Sequence, residues 1–301
     1  MLEMRKLILM TIFPRTMITL KSAVDEFLEA GSLKFSPHTV RDYTLTLGRA
    51  VRHFANNPLL CDLQARDMTG FLSRAIPGSN KNRLNAYIAL SSLFTWALKN
   101  NYVERHIMRL VEKPRATRKE IIPFSETEVK AMLREAGRME MRNRALMLFM
   151  LDNGAREAEV CDIRLADIHD GMVKVLGKGA RERMLPVSAR TWRVILEYLD
   201  QSQGQRERYL FVTEAGKKIK PDRLYKLIHR IGERAGVERA YPHRFRHTFA
   251  VNYLLNEGDP FSLQRILGHS TMEMVNRYLA LVREDIQKIH KKASPVTNWN
   301  L

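Results

Sequence analysis

Apolar residues recur at helical spacing along most of this chain, with a single interruption where the pattern becomes that of β-strands. Val40, Tyr43 and Leu47, for example, share one face of a helix. Residues 172–176 and 183–187 are instead typical of short strands, and they flank a turn with two glycines, which predicts a β-hairpin. The sequence therefore predicts a mainly α-helical fold with a small β-sheet.

Breaks in the helical pattern predict two domains. Residues 17–105 contain four helical segments joined by short breaks, which is typical of a small helical bundle. Residues 106–124 lose the periodicity and carry a basic, proline-containing run, which predicts an interdomain linker. Residues 125–292 begin with a capping-box signature and form the second domain, which holds the hairpin. Residues 1–16 and 293–301 are interpreted as an N-terminal extension and a C-terminal tail.

The charge balance indicates a polyanionic partner. Fifty Lys and Arg residues against 33 Asp and Glu give a net charge of +17. A surplus of this size is typical of proteins that bind nucleic acid, with an anionic membrane as the second candidate. The remaining alternative is a basic protein with no such partner.

Neither a membrane anchor nor a disulfide framework is predicted. The N-terminal apolar stretch, residues 7–13, is too short to span a bilayer. The two cysteines, Cys61 and Cys161, make neither a disulfide framework nor a zinc site. We therefore expect a cytoplasmic protein, associated with the nucleoid, with no membrane partner.

Basic residues of the helical domain and the linker are the candidates for phosphate contacts. Such charges often form only a solvated surface, but the net charge favours binding to DNA. The candidate DNA-binding residues are Arg41, Lys81, Arg83, Arg115, Arg118, Lys119 and Arg244.

Tyr278 is the candidate nucleophile for attack on a phosphodiester. A tyrosine ester of phosphate retains the energy of the broken bond, so the strand can be rejoined without ATP. The alternative is a helical tyrosine that only packs in the core. The neighbouring sequence favours chemistry, because His269 stands nine residues before it in a Gly-His-Ser segment.

Two arginines are candidates to hold the phosphate. Arg156 and Arg246 each follow a predicted helix start, and a guanidinium matches phosphate in a bidentate way. Glu159 lies three residues after Arg156, on the same helical face. It is either the partner of an ordinary surface salt bridge or a supporting group that orients the guanidinium.

Lys178, His243 and His269 are candidates for proton transfer and phosphate contact. Lys178 lies in the hairpin turn between two glycines, where it could protonate a departing 5′-oxygen; the alternative is a solvated turn lysine. His243 and His269 could bind a phosphate oxygen or accept the tyrosine proton.

No metal and no cofactor are expected. His243 and His247 have the spacing of a helical zinc pair, but the glutamate of a zinc protease is missing between them. Two arginines stand there instead, and they disfavour a cation.

Together these segments resemble the tyrosine recombinases, also called the phage-integrase family. The agreement in order and spacing extends over roughly residues 125–290. The matching segments are 153–159 for the first arginine box, 177–179 for the hairpin lysine, 242–250 for the His-x-x-Arg box, and 267–270 with Tyr278 for the closing motif. Departures are small: Ala155 stands where the family commonly has leucine, and Arg244 adds a charge inside the second box.

The resemblance implies a site-specific DNA recombinase that works through a 3′-phosphotyrosine intermediate, as in DNA integration, excision or resolution. It implies an N-terminal core-binding (SAM-like) domain of four helices and a C-terminal mixed α/β catalytic domain. Its implied catalytic residues are Arg156, Lys178, His243, Arg246, His269 and, as the nucleophile, Tyr278.

The resemblance also implies an assembly. Members of the family enclose duplex DNA in a C-shaped clamp and act as homotetramers on paired sites, in some systems with accessory DNA-bending proteins. They pass a C-terminal segment to a neighbour, for which residues 282–292 would serve, with Ile286 and Ile289 as anchors. The chain shows no additional arm-binding domain, which favours a compact Xer-like or transposon-type member. A type IB topoisomerase and a non-cleaving DNA-binding regulator are the alternatives.

Overall fold

The computed structural model describes residues 17–116, 120–177, 182–201 and 208–282, together with residues 290 and 294. The described chain separates into two compact units, which meet in sequence between residues 119 and 120. Within the described residues, no helix combines the length and apolar character that crossing a bilayer would need.

The first unit is a bundle of four helices. Ser36 caps the second of these helices through its side chain, and Pro37 occupies the first turn, where a missing N–H costs nothing. Phe27, Phe71 and Leu93 are among the side chains that fill the core between the helices. The elements are α1 (Leu20–Ser32), α2 (Pro37–His53), α3 (Ala65–Arg74), α4 (Asn80–Lys99) and a 3₁₀ turn (Ile107–Leu110).

Both ends of the segment predicted as a linker, residues 106–124, contribute side chains to the cores of the two units. Ile107, Met108 and Val111 belong to the core of the first unit, while Phe124 belongs to the core of the second. A short 3₁₀ turn offers too few residues to produce a periodic pattern, so these buried positions did not stand out in the sequence.

The second unit combines helices with a three-stranded antiparallel sheet of order β1-β2-β3. Val173 pairs with Leu185 across the predicted hairpin, and a two-residue strand that the sequence analysis did not predict extends the sheet. The predicted fold class, mainly α with a small β-sheet, is confirmed. The elements are α5 (Glu126–Met139), α6 (Met141–Asn153), α7 (Glu157–Asp162), β1 (Ile168–His169), β2 (Met172–Leu176), β3 (Glu182–Pro186), α8 (Ala189–Gln201), α9 (Pro221–Arg234), α10 (Pro242–Leu255), α11 (Pro260–Leu267) and α12 (Glu273–Leu279).

Helix α6 crosses the core of the second unit and ends at a glycine that no other residue could replace without strain. Gly154 has a φ of +63°, a left-handed conformation that side chains disfavour. A Cβ at this position would lie 2.6 Å from Cδ1 of Phe249 and 2.9 Å from Cδ2 of Leu267. Helices α10 and α11 therefore pack closely against this turn, which lies two residues before Arg156, the first residue of the site.

Candidate active site

Arg246 lies at the centre of the candidate site. It sits in the first turns of α10, and it is 1% exposed. Its Nη1 donates to the carbonyl of Gly154 at 2.9 Å, and its Nη2 donates to the carbonyl of Leu267 at 2.7 Å and to Nε2 of His269, also at 2.7 Å. Burial and the charge of Arg156 lower the pKa of Arg246, yet the guanidinium stays charged at neutral pH. The residue is therefore a fixed, buried cation.

Arg156 and Glu159 form the second part of the site. Glu159 accepts the backbone N–H of Arg156 at 2.7 Å and its Nη1 at 2.8 Å, so the carboxylate caps α7 and holds the guanidinium. The Nη2 of Arg156 donates to the carbonyl of Gly268 at 3.1 Å, one residue from the carbonyl that Arg246 contacts. The ion pair proposed from the sequence is thus present, and it places Arg156 beside Arg246.

Arg183 completes this network, and sequence reasoning missed it. Its two Nη atoms donate to the two carboxylate oxygens of Glu159, both at 2.7 Å, and its Nε donates to the carbonyl of Ile266 at 2.7 Å. Burial would raise the pKa of Glu159, but the hydrogen bonds from Arg183 and Arg156 outweigh it and hold the pKa below the usual value. Arg183 lies on β3, so its hydrogen bonds connect the hairpin to the site. In the sequence, the only indication of this role was a basic side chain on the strand that follows the turn.

His269 lies between the guanidinium of Arg246 and the candidate nucleophile. Its Nε2 accepts the hydrogen bond from Arg246, so the neutral ring carries its proton on Nδ1. That Nδ1 is buried and has no hydrogen-bond partner among the described residues. Burial and the charge of Arg246 lower the pKa of His269 to about 3. The ring is therefore a neutral donor, which a phosphate oxygen could satisfy.

Tyr278 lies on α12 with its ring buried in a small cluster of apolar side chains. It is 1% exposed, and its ring stacks on that of His269 with centroids 6.4 Å apart and planes 7° apart. Burial raises the pKa of the phenol, although the charges of Arg246 and Arg277 act in the opposite direction. At neutral pH the hydroxyl keeps its proton, so an attack on phosphorus needs a proton acceptor.

His247 is the second residue that sequence reasoning missed as part of the site. Its Nδ1 lies 3.0 Å from the hydroxyl oxygen of Tyr278. The sequence showed it only as half of a zinc-like pair with His243, and the two rings do contact each other, with centroids 4.5 Å apart. Among the residues that the structure describes, no three His, Cys, Asp or Glu side chains are placed to hold a metal ion. His243 itself stands in the first turn of α10 and is exposed.

Several predicted residues lie outside the described part of the chain. These are Lys178 of the hairpin turn, Arg118 and Lys119 of the linker, and Ile286 and Ile289 of the C-terminal segment.

The remaining predicted DNA-binding residues of the first unit lie on its surface. Arg41, Lys81 and Arg115 are exposed. Arg83 is half-buried and donates to Oδ1 of Asn80 at 2.8 Å. Arg83 and Arg115 line one open groove of this unit, together with Lys113. These positions are compatible with contacts to phosphates, which stay a prediction.

Arg244 was predicted to bind DNA, and its surroundings show that this prediction is wrong. The residue is 5% exposed, and its guanidinium lies 4.1 Å from the ring centroid of Phe124. Nη2 donates to Glu128 at 2.9 Å, and Nη1 donates to the carbonyl of Glu238 at 2.8 Å. Its Nε donates to the carbonyl of Ile122 at 3.1 Å. Its donors are thus engaged inside the second unit, where they fix the start of α5 against α10.

Comparisons with known proteins identify the family of the chain. The sequence matches the Phage integrase family over residues 123–284, more than half of the chain. It is 27% identical over 286 residues to the tyrosine recombinase XerC of Myxococcus xanthus, covering 86% of this chain and 92% of that protein. It is 30% identical over 267 residues to the tyrosine recombinase XerA of Thermococcus kodakarensis, covering 86% and 90%.

A solved structure shares the fold. A lambda integrase tetramer bound to a Holliday junction aligns with a TM-score of 0.73 at 16% sequence identity, covering 84% of this chain and 78% of that one. With the family match over the second unit, these findings lead to one conclusion: the chain belongs to the phage integrase family of tyrosine recombinases.

Proposed function

We propose that Tyr278 is the nucleophile with which this tyrosine recombinase cleaves and rejoins DNA strands at specific sites. The observation that carries the proposal is the convergence of Arg156, Arg246 and His269 beside the ring of Tyr278. Two fixed guanidiniums and a neutral imidazole donor suit the doubly bonded and charged oxygens of a phosphodiester. A surface salt bridge would explain one of these arginines, but not a buried cation whose partner, the carbonyl of Leu267, directly precedes the Gly268 carbonyl that the other arginine contacts.

The chemistry follows from the positions of these groups. The guanidiniums of Arg156 and Arg246 bind the non-bridging oxygens and stabilise the charge that develops on them as the phenol oxygen attacks. His269 donates its free Nδ1–H to the same phosphate. The P–O5′ bond then breaks, and the 3′-phosphotyrosine ester keeps the bond energy for the reverse step. Lys178, between the two strands in sequence, is the proposed donor to the departing 5′-oxygen.

The proposed substrate is duplex DNA, bound by several copies of the chain. The net charge of +17 supports binding to a polyanion. The related lambda integrase has been solved as a tetramer on a Holliday junction, which supports a tetramer on paired sites here as well. We also propose that neighbouring copies exchange residues 282–292 and that accessory DNA-bending proteins take part. The protein would act at the nucleoid in the cytoplasm.

Capture of the covalent intermediate tests the nucleophile. Adducts trapped from a genomic DNA library are sequenced to obtain the site, which is then synthesised with a nick so that the cleaved strand cannot be rejoined. The wild type should accumulate a covalent protein–DNA adduct, and Tyr278→Phe should form none. Tyr253→Phe is the matched control, because Tyr253 also hydrogen-bonds through its hydroxyl, to Ser262 at 2.8 Å. An adduct with Tyr278→Phe would contradict the assignment.

Strand exchange separates recombination from simple nicking and closing. Two duplexes that carry the site, each with a different fluorescent label, are incubated with the wild-type protein. Recombination joins both labels in one product, whereas a topoisomerase-like enzyme gives no joined product and only relaxes a supercoiled plasmid that carries the site, assayed in parallel. Relaxation without a joined product would contradict the proposed outcome while leaving the chemistry of Tyr278 intact.

A further inference from the structure

The hydroxyl of Tyr278 is hydrogen-bonded to His247, a residue to which the proposed mechanism gives no role. Nδ1 of His247 lies 3.0 Å from the phenol oxygen, and the two ring centroids are 5.7 Å apart. His247 follows Arg246 directly on α10, so the helix that carries the buried cation also carries this nitrogen. The phenol oxygen is the atom that must attack phosphorus, so His247 touches a reacting atom.

The protonation states suit a transfer from tyrosine to histidine. His247 is half-buried, and burial, followed by repulsion from His243 and Arg277, lowers its pKa to about 4. The imidazole is therefore neutral at neutral pH, and with its proton on Nε2 it presents the Nδ1 lone pair to the phenol O–H. When a DNA phosphate enters the site, its negative charge offsets the nearby cations, which makes the imidazole a stronger base.

Two other basic groups of the site, His269 and Glu159, are already engaged, and His243 lies with its ring against that of His247. His269 accepts from Arg246 at Nε2, so its Nδ1 is a donor and cannot take a proton. Glu159 accepts N–H groups from Arg156 and Arg183, and its pKa is held low. His247, in contrast, has its nitrogen on the phenol itself.

We propose that His247 is the general base that activates Tyr278, a role that rests on the proposed function. As the bond between the phenol oxygen and phosphorus forms, the phenol proton moves to Nδ1 of His247. The P–O5′ bond breaks with its electron pair on O5′, and a water molecule or a protein ammonium group protonates that oxygen. In the rejoining step the 5′-hydroxyl attacks phosphorus and returns its proton to the group that supplied it, and the departing phenol oxygen takes its proton back from His247.

Single-turnover cleavage of the nicked substrate tests the proposal. His247→Gln keeps an amide that can hydrogen-bond the phenol but cannot accept a proton, and His247→Ala leaves space for a small base. Both variants should cleave more slowly by roughly 10²–10⁴-fold, the usual range for a lost general base, with DNA affinity unchanged. Added imidazole should restore part of the rate of His247→Ala and none of the rate of His247→Gln. His229→Gln is the matched control, since His229 is an exposed histidine on α9, and it should cleave at the wild-type rate.

A second substrate distinguishes a general base from a general acid. Sulfur in place of the bridging 5′-oxygen departs without protonation, so it restores the rate of a variant that lacks the acid. His247→Gln should remain slow on this substrate. Recovery on the sulfur substrate would overturn the proposal, as would a slowing of His247→Ala that imidazole does not relieve.

The outcomes also separate this proposal from the proposed function. If the wild-type adduct maps to a residue other than Tyr278, the proposed function fails. If the adduct maps to Tyr278 and His247→Gln cleaves at the wild-type rate, only the role of His247 fails. Thermal unfolding of both variants checks their folding; should His247→Ala unfold, the similarly sized His247→Gln and its response to the sulfur substrate decide the matter.

Discussion

The buried carboxylate of Glu159 offers a direct test of how the site is held together. It accepts four N–H groups, two from Arg156 and two from Arg183, at distances from 2.7 to 2.8 Å. Glu159→Gln keeps the shape of the side chain but turns one oxygen into an NH₂ group, which points its hydrogens at other donors. The substitution also removes the negative charge that balances the two guanidiniums.

The size of the effect follows from the exposure of the partners. The side chain of Glu159 is 4% exposed and that of Arg183 is 11% exposed, whereas that of Arg156 is 33% exposed and can reach water. Loss of one partner from a buried ion pair costs about 3–5 kcal/mol, because it leaves an uncompensated charge. Of the two arginines, only Arg183 would be left both unpaired and shielded from water. We therefore expect the free energy of unfolding to fall by about 3 kcal/mol, near the lower end of this range.

Urea unfolding of the full chain, followed by circular dichroism, measures this loss. With a dependence of roughly 2–3 kcal/mol per molar urea, the midpoint of the second unit should fall by roughly 1–1.5 M. Glu126→Gln is the control: Glu126 is 80% exposed and pairs with Lys130 on the surface of the same unit, so its loss should cost less than about 0.5 kcal/mol. In Glu159→Gln/Arg183→Met the unpaired charge is gone, and part of the stability should return.

Equal midpoint shifts for Glu159→Gln and Glu126→Gln would refute the reasoning. They would mean that the buried network contributes no more than an ordinary surface pair. A double variant less stable than the single one would also contradict the argument, since the unpaired guanidinium of Arg183 would then not be the source of the loss.

Three further predictions concern stability. Gly154→Ala should destabilise the second unit by at least about 1–2 kcal/mol, the cost of a left-handed alanine before any steric overlap, and an unchanged melting temperature in calorimetry would contradict this. Arg244→Met should lower the melting temperature yet leave the salt dependence of DNA binding unchanged in fluorescence anisotropy. If the slope of log affinity against log salt concentration fell by about one, Arg244 would contact a phosphate after all. The folded state lowers the pKa of His247 to about 4 and that of His269 to about 3. Between these values and the ordinary histidine pKa of about 6.5, the unfolded chain binds more protons than the folded chain. The free energy of unfolding should therefore fall as the pH drops from about 6.5 to 4. Urea midpoints across this pH range measure the fall, which should be smaller in His247→Gln/His269→Gln; equal slopes would contradict it.

The sequence by itself determined the elements of the fold and the order of the main site groups. Helical spacing, caps and the glycine-flanked turn are local properties, because each depends on residues only a few positions apart. The motif spacing therefore indicated Arg156, Arg246, His269 and Tyr278 before any fold was known. Strand β1 escaped prediction because two residues are too few to form a pattern.

Only the tertiary structure decided which side chains face the site. Arg244 and Arg246 are two residues apart on α10, so a helix points them roughly 200° apart, and local sequence does not say which direction is the core of the site. One packs against Phe124 and the other against His269. Arg183 and His247 meet their partners across 24 and 31 residues, and such contacts depend on how the elements pack and not on spacing along the chain.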